Sequence, residues 1–543
     1  MTAQIPESFD YIIVGGGSSG SVIANRLSAD EKTTVCLVEA GGKADGILTR
    51  APLAAVATMP AHLGIKIQNW AFETVPQPGL NGRRGYQPRG KGLGGSSILN
   101  AMIYIRGNRR DYDHWAAMGC TGWGYEDVLP YFLKSENFGG GADNNHNNTG
   151  ELHVADLASP HQIGKDFIAA GQANQLPRND DFNAGSQVGI GPYHVTQFHD
   201  KRRGERCSAA AAFLHPFRSR RNLTVLTDAM AEKVLFDGQR ATGLQVNMPK
   251  GPKTLSAHKE IILSAGAFQT PQLLMVSGIG SATHLRHHGI EVVVDRPSVG
   301  QNLQDHIDMI LSYGVKTRDV IGIGPSAAAR LLKGIGQWRR NGHGPISTNF
   351  AEAGGFFTAG EGPQDWPDTQ LHFVVARVED HARRLHWGYG ISCHACVLRP
   401  HSRGSVQLAT NNIADAPMID PQFLSDDRDL ALLRKAVRRT HDIMMAPPLR
   451  KQITKGHTIS GQESDSALDQ IIRNKADTVY HPVGTCRMGS DDQSVVDPEL
   501  RVRGVKGLRV ADASIMPRII SGNTNAPCIM IGEKLADMVI NPT

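Results

Sequence analysis

Long apolar runs are missing from this sequence. No stretch of about 18 uninterrupted apolar residues, the length that spans a bilayer as a helix, occurs in its 543 residues, so no spanning segment is expected. The opening residues, MTAQIPESFD, lack the basic start and apolar core of a secretory leader, and the expected location is the cytoplasm. Cysteine is sparse. The seven cysteines (36, 120, 207, 393, 396, 486 and 528) are odd in number and follow no framework, so reduced thiols are expected. Aromatic residues do not interleave with basic ones, and 57 basic residues stand against 52 acidic for a formal charge of only +5. That balance argues against a nucleic-acid footprint. Glycine, by contrast, is plentiful at 59 residues, which suits tight turns and close approach of backbone to a ligand. The length predicts two domains, or one nucleotide-binding domain with a large insert.

The first fifty residues carry a local pattern with a physical purpose. Asp10 to Val14 is a short apolar run of the kind that forms a buried parallel strand. Gly15, Gly17 and Gly20 follow at GxGxxG spacing with Ser18 and Ser19 between them, and Ser21 to Leu27 has helical periodicity. A second apolar run, Thr34 to Val38, ends in Glu39. Strand, glycine turn, helix, strand and acid occur in the order a dinucleotide fold requires. The first glycine permits the turn, the second admits the pyrophosphate, and the third lets helix and strand pack. The helix N-terminus offers free N–H groups and a positive dipole end to phosphate. Glu39 sits where a carboxylate binds ribose hydroxyls and would repel a 2′-phosphate. The fingerprint alone leaves FAD and NAD both open; its N-terminal placement and Ala40-Gly41-Gly42 favour FAD.

Two further glycine segments extend the pattern. Gly90 to Asn100 (GKGLGGSSILN) precedes the apolar Ala101 to Ile105 and then Arg106-Gly107. Gly266 to Gly280 follows an apolar strand, Glu260 to Ser264. In the second half of the chain lie Gly300-Gln-Asn-Leu-Gln-Asp-His306, Arg399-Pro-His-Ser-Arg-Gly404, His481-Pro-Val-Gly-Thr-Cys-Arg-Met-Gly489 and Ser521-Gly-Asn-Thr-Asn-Ala-Pro527. In this order the motifs resemble the glucose–methanol–choline (GMC) oxidoreductases across nearly the whole chain, nearest the bacterial choline dehydrogenase and alcohol dehydrogenase branch.

The resemblance implies an α/β fold, with a discontinuous Rossmann-like FAD-binding domain and an inserted α+β substrate domain carrying a mixed or antiparallel sheet. The expected segments are 1–160, 205–310 and 470–543 for FAD, and 161–204 and 311–469 for substrate. Residues 369–378 and 390–398 alternate as strands do, and 404–409 follows as another. The implied activity is oxidation of an alcohol, most simply a primary one. His481 would be the base, because neutral imidazole takes a proton near pH 7. Asn523 would orient the alcohol, since an amide donates a hydrogen bond but takes no proton. Carried-over FAD contacts are Trp70, Arg89, Gly94, Gly95, Ser96, Asn100, Val234, Ala265, Asp512, Ala513, Asn523 and Thr524, beside Gly15, Gly17, Ser18, Ser19, Gly20 and Glu39. The helix after Asn523 would aim its N-terminus at the flavin. Where some members attach FAD covalently through a histidine, this chain has Ile98, Leu99 and Asn100, so non-covalent FAD is expected. The electron acceptor is expected to be a quinone, with peripheral contact at the inner membrane, or else oxygen. An oxidase is the nearest rival reading, and a lyase or photodecarboxylase on the same fold the next.

Other features read as structural. Cys393-His-Ala-Cys396 has no second ligand pair, and a strand would send its cysteines to opposite faces, so no metal is expected. Asp305-His306 reads as structural despite its motif. Residues 139–148 read as an exposed polar loop that could reach over the flavin, and His284, His287 and His288 as a surface helix end.

Overall fold

A computed structural model describes residues 6–61 and 64–542. The opening residues 1–5, read above for a leader, lie outside the described residues.

Two sheets organise the molecule. In the first, the strands Leu223–Leu226, Val35–Val38, Ser8–Val14 and Gly251–Leu263 run parallel, and Leu508–Val510 joins the C-terminal half of Gly251–Leu263. The N-terminal half of that 13-residue strand turns to an antiparallel meander with Arg240–Met248 and Met230–Asp237. One long strand therefore joins a parallel sheet to an antiparallel wing. The parallel strands are apolar along their length because both faces are covered; Ile12, Ile13, Val35 and Leu37 are fully buried.

The second sheet is antiparallel, in the order Ile453–Gly456, Ile307–Val315, Gly388–Val397, Thr369–Val374, Ala351–Phe357 and Gly189–Pro192. Asp477–Thr478 pairs with the start of Ile307–Val315, so this sheet draws on residues 189–192 and then on strands between 307 and 478. Alternating burial was the expectation for 369–378 and 390–398, yet every residue of Thr369–Val374 is buried. The reason is a second covering layer. Leu433, Ala436 and Val437 of the helix Asp427–Met444 join Leu371, Phe373 and Cys393 in one core, while residues of the opposite face, such as His372 and Val374, line a cavity. The strand expected at 404–409 forms, as Gly404–Gln407, but it pairs with Gln301–Leu303 and Met418–Asp420 in a separate three-stranded sheet.

Gly15 and Gly20 show why the first turn needs glycine. Gly15 has φ +99°, a region that side chains disfavour, and a Cβ on Gly20 would lie 1.9 Å from the Gly15 carbonyl oxygen. The helix Ser18–Leu27 thus sits directly on its strand. The C-terminal helix Asn525–Ile540 packs beside it; Ser18 Oγ donates to Asn525 Oδ1 at 2.7 Å and Ser19 Oγ to the Cys528 carbonyl at 2.6 Å. Two helix N-termini from opposite ends of the chain are tied together there. Among the described residues no helix is long and apolar enough to cross a membrane.

Candidate active site

A cavity of about 670 Å³ lies between the sheets. Its floor is the C-terminal ends of the parallel strands, where Val14, Val38 and Ser264 lead into Gly15, Glu39 and Ala265, and Asp512 and Ala513 follow Leu508–Val510. Open parallel sheets bind ligands at this edge. Its roof is the antiparallel sheet, through His372, Val374 and His394.

The sequence-predicted residues gather around it. Gly15, Gly17, Ser18, Ser19, Glu39, Trp70, Arg89, Gly95, Ser96 and Asn100 line the cavity, as do Ala265, His481, Asp512, Ala513, Asn523 and Thr524. Gly20, Gly94 and Val234 do not. Gly20 serves helix packing, and Gly94 shapes its loop with φ +102°. The Val234 N–H is taken by Ser277 Oγ at 2.9 Å, and the cavity is reached by Met230 and Ala231 of the same strand instead.

The floor has the chemistry of a dinucleotide cradle. The helix Ser18–Leu27 begins at Gly17 without a side-chain cap, which leaves its first N–H groups and positive dipole end toward the cavity. Two glycine loops press together over it, since a Cβ on Gly95 would lie 2.7 Å from Gly17 Cα. Glu39 is buried, accepting from the Gly16 N–H at 2.9 Å and the Gly41 N–H at 2.7 Å. Burial pushes its carboxyl above the ordinary range, against the pull of those donors. Asp512 is held likewise, by the Gly266 N–H at 2.8 Å and Thr270 Oγ1 at 2.6 Å. Open helix N-termini, a buried carboxylate and close-approach glycines fit FAD. Below the Gly90–Asn100 loop, Arg206 donates to the Asn100 carbonyl and Oδ1 at 2.6 and 2.8 Å.

At the roof end the histidines meet. His481 Nε2 lies 3.2 Å from Asn523 Nδ2, and His481 Nδ1 lies 3.0 Å from His306 Nδ1. His306 Nε2 is 2.9 Å from the Leu398 carbonyl. A carbonyl only accepts, so His306 Nε2 carries hydrogen and its Nδ1 is the acceptor in the neutral ring. His481 Nδ1 must then donate, and His481 Nε2 carries no hydrogen and accepts from Asn523 Nδ2. Burial, and then the nearby His306, His372 and Arg89, hold His481 well below the usual histidine range. Burial, with Arg399 nearby, takes His306 down to about 3 against the pull of the carbonyls it meets. Both rings are therefore neutral at physiological pH.

The backbone is fixed with equal care. Tyr480, just before His481, has φ +75°, unusual for a bulky residue. Its N–H donates to Thr478 Oγ1 at 2.7 Å and its carbonyl accepts from Arg89 at 2.7 Å. The His481 N–H donates to Asp305 Oδ1 at 2.8 Å. Asn523 is oriented by Gln370, whose Nε2 donates to its Oδ1 at 3.0 Å. Ser521, two residues earlier, donates N–H and Oγ to buried Asp111 at 2.7 and 2.8 Å and accepts from Arg399 at 2.9 Å.

Sequence reasoning missed several of these. Asp305 and His306 were set aside as structural, yet both touch His481; their adjacency inside a motif was the available signal. His372 and His394 sit on strands with nothing local to mark them. Neither ring nitrogen of His372 makes a hydrogen bond of ordinary geometry, although the residue is buried and lines the cavity. His394 is paired with buried Asp308. The 139–148 loop does not line the cavity; His146 pins it to Glu136 at 3.0 Å and Asp181 at 2.7 Å. Cys393 and Cys396 enter different cores, and among the described residues no cluster is placed to hold a metal.

Comparison with known proteins agrees with this architecture. The family described as GMC oxidoreductase matches residues 9–308 and 400–532. An alcohol dehydrogenase [acceptor] of Pseudomonas putida is 44% identical over 98% of this chain and 96% of its own length. An oxygen-dependent choline dehydrogenase of Escherichia coli is 42% identical over 98% and 95%. Among solved structures, pyridoxine 4-oxidase from Mesorbium loti superposes with TM-score 0.88 at 30% identity, covering 98% of this chain and 100% of that one. A formate oxidase of Aspergillus oryzae, solved for the modification of its FAD, gives TM-score 0.87 at 26% identity over 99% of each chain.

Proposed function

This chain belongs to the GMC oxidoreductases, FAD-binding flavoenzymes, and from that premise we propose that it oxidises a primary alcohol to the aldehyde with His481 as the base. The observation that carries the reading is the unprotonated Nε2 of His481, which accepts from the amide of Asn523 in the cavity that the dinucleotide cradle shares. FAD, when bound non-covalently in that cradle, supplies the acceptor for the hydride that leaves the alcohol carbon.

This chain's residues do the rest. His481 Nε2 takes the hydroxyl proton, and Asn523 Nδ2 donates to the oxygen as negative charge builds on it. His306, reached through Nδ1, keeps His481 in the tautomer that leaves Nε2 unprotonated. Asp111, through Ser521, keeps Asn523 in place. His372 offers the substrate a ring nitrogen that makes no hydrogen bond of ordinary geometry with the protein, and a buried polar group left unpaired costs about 1–3 kcal/mol. The apolar walls, including Val479 and Val374, exclude water from the reacting atoms.

The electrons pass to an external acceptor, a quinone being the class favoured. Stoichiometric peroxide release during turnover would assign oxygen instead. The test of the base is His481→Ala. FAD should stay bound, while anaerobic single-turnover bleaching by alcohol slows by about a hundredfold or more. Near-normal bleaching in that variant would remove His481 from the mechanism, and no bleaching by any alcohol in the unaltered enzyme would favour the lyase or photodecarboxylase reading.

A further inference from the structure

Among the described residues, twelve large apolar side chains are exposed, and nine of them come from three short segments. Residues 46–66 contribute Ile47, Leu48, Val56 and Ile65. The helix Pro325–Asn341 and the residues just before it contribute Ile323, Leu331 and Leu332, the last 71% exposed. Residues 382–388 contribute Leu385 and Trp387, at 68% and 77% exposure.

The segments form one face. Leu53 shares a buried cluster with Trp338, which fastens the first segment to the helix. Ile323 pairs with Gly388, and a Cβ on Gly324 would lie 3.7 Å from the Trp387 ring. Val56, Ile323, Leu331 and Leu385 line the active-site cavity while exposed to solvent, so this face rings its mouth.

Its charge is one-sided. The three segments hold eight lysines and arginines and no aspartate or glutamate, which leaves 49 basic against 52 acidic residues in the rest of the chain. Arg50, Arg330, Arg383 and Arg384 pair with neighbouring acids, respectively Glu205, Asp319, Asp380 and Glu379. Lys66, Lys333, Arg339 and Arg340 make no ion pair among the described residues.

We infer that this face docks the mouth of the cavity onto a bilayer surface containing anionic lipid. An exposed tryptophan and leucines beside unpaired basic residues suit the headgroup boundary, where apolar side chains enter and cations meet lipid phosphate. The outer side of the helix reads Ala329, Leu332, Lys333, Gly336 and Arg340, an amphipathic pattern for lying in that plane. A second copy of the chain fits less well, because a two-fold contact would oppose like charges. The cavity would then open to apolar alcohols or acceptors dissolved in lipid, a consequence that rests on the reading of the cavity as the oxidation site.

The experiment is sedimentation of the holoenzyme with vesicles of phosphatidylcholine, alone or mixed with phosphatidylglycerol. The mixed vesicles should bind it more tightly, and added salt should weaken that binding. Leu332→Ser with Trp387→Ser, and separately Lys333→Glu with Arg340→Glu, should each lower binding by about tenfold. Turnover of a water-soluble alcohol with a soluble dye should be unchanged, which also shows that the variants fold. Absence of vesicle binding by the unaltered holoenzyme, equal binding by all forms, or a dimer that the substitutions dissociate would each overturn the proposal. Failure of turnover in the unaltered enzyme would instead count against the oxidation site and leave the vesicle result standing.

Discussion

In the proposed mechanism His481 serves as the base because it stays neutral where a histidine in water would be partly charged. A histidine in water titrates near pH 6.5, and an ordinary site would lose its base as pH fell through that value. Burial and the neighbouring His306, His372 and Arg89 push it well below. Anaerobic flavin reduction should therefore stay flat across neutral pH and fall only far below pH 6.5; a fall centred at or above 6.5 would contradict a neutral buried base. In the proposed mechanism His306 is a positioning residue. His306→Leu leaves the His481 Nδ1–H without an acceptor, so flavin reduction should slow by about tenfold to a hundredfold with the acid limb of the profile displaced. A slower enzyme with an unmoved profile would mean that His306 merely packs.

At the scale of elements, the first and last helices meet over the glycine turn, and their contact permits little addition. Gly20→Ala places a methyl against the Gly15 carbonyl, where overpacking costs about 1–3 kcal/mol or more. The purified variant should carry much less FAD per chain than the unaltered protein; full flavin occupancy would show that the turn can yield. This region was legible in the sequence because it is local: strand, turn, helix and acid lie within residues 8–39. His306, His372 and His394 were not. They come from three strands or strand ends far apart in the chain, and the partners of His306 and His394, Leu398 and Asp308, follow only from how those strands pair. The strand expected within 369–378 forms at Thr369–Val374, but its burial on both faces was not legible, since alternation in sequence cannot report a second covering layer.

At the scale of the whole molecule, the two sheets share one cavity, so FAD held between them bears on the stability of both. Its release by denaturation, with no flavin remaining on the denatured chain, is expected; flavin that stays with the chain on denaturing electrophoresis would refute non-covalent binding. Acid should weaken the folded state in a definite window. His306 and His372 each sit at about 3 when folded, against 6.5 as the ordinary value. The unfolded chain then binds more protons below 6.5, so their full contribution is present above that pH. It is lost as pH falls toward 3, at about 1 kcal/mol per pH unit for each group at most. Melting temperatures of the holoenzyme should decline from pH 7 to pH 5, and a constant value would exclude neutral burial of these rings.

The histidine pair ends on the carbonyl of Leu398, an atom of the peptide bond. Every residue type offers that same oxygen, so replacing the leucine side chain should leave the proton arrangement intact even though position 398 sets it. Side-chain scanning would score the position as tolerant. A one-residue insertion upstream in Gly388–Val397 would displace the oxygen and free His306 to turn over its ring. What the position keeps constant is alignment of the strand, a kind of constraint that leaves no mark on residue identity.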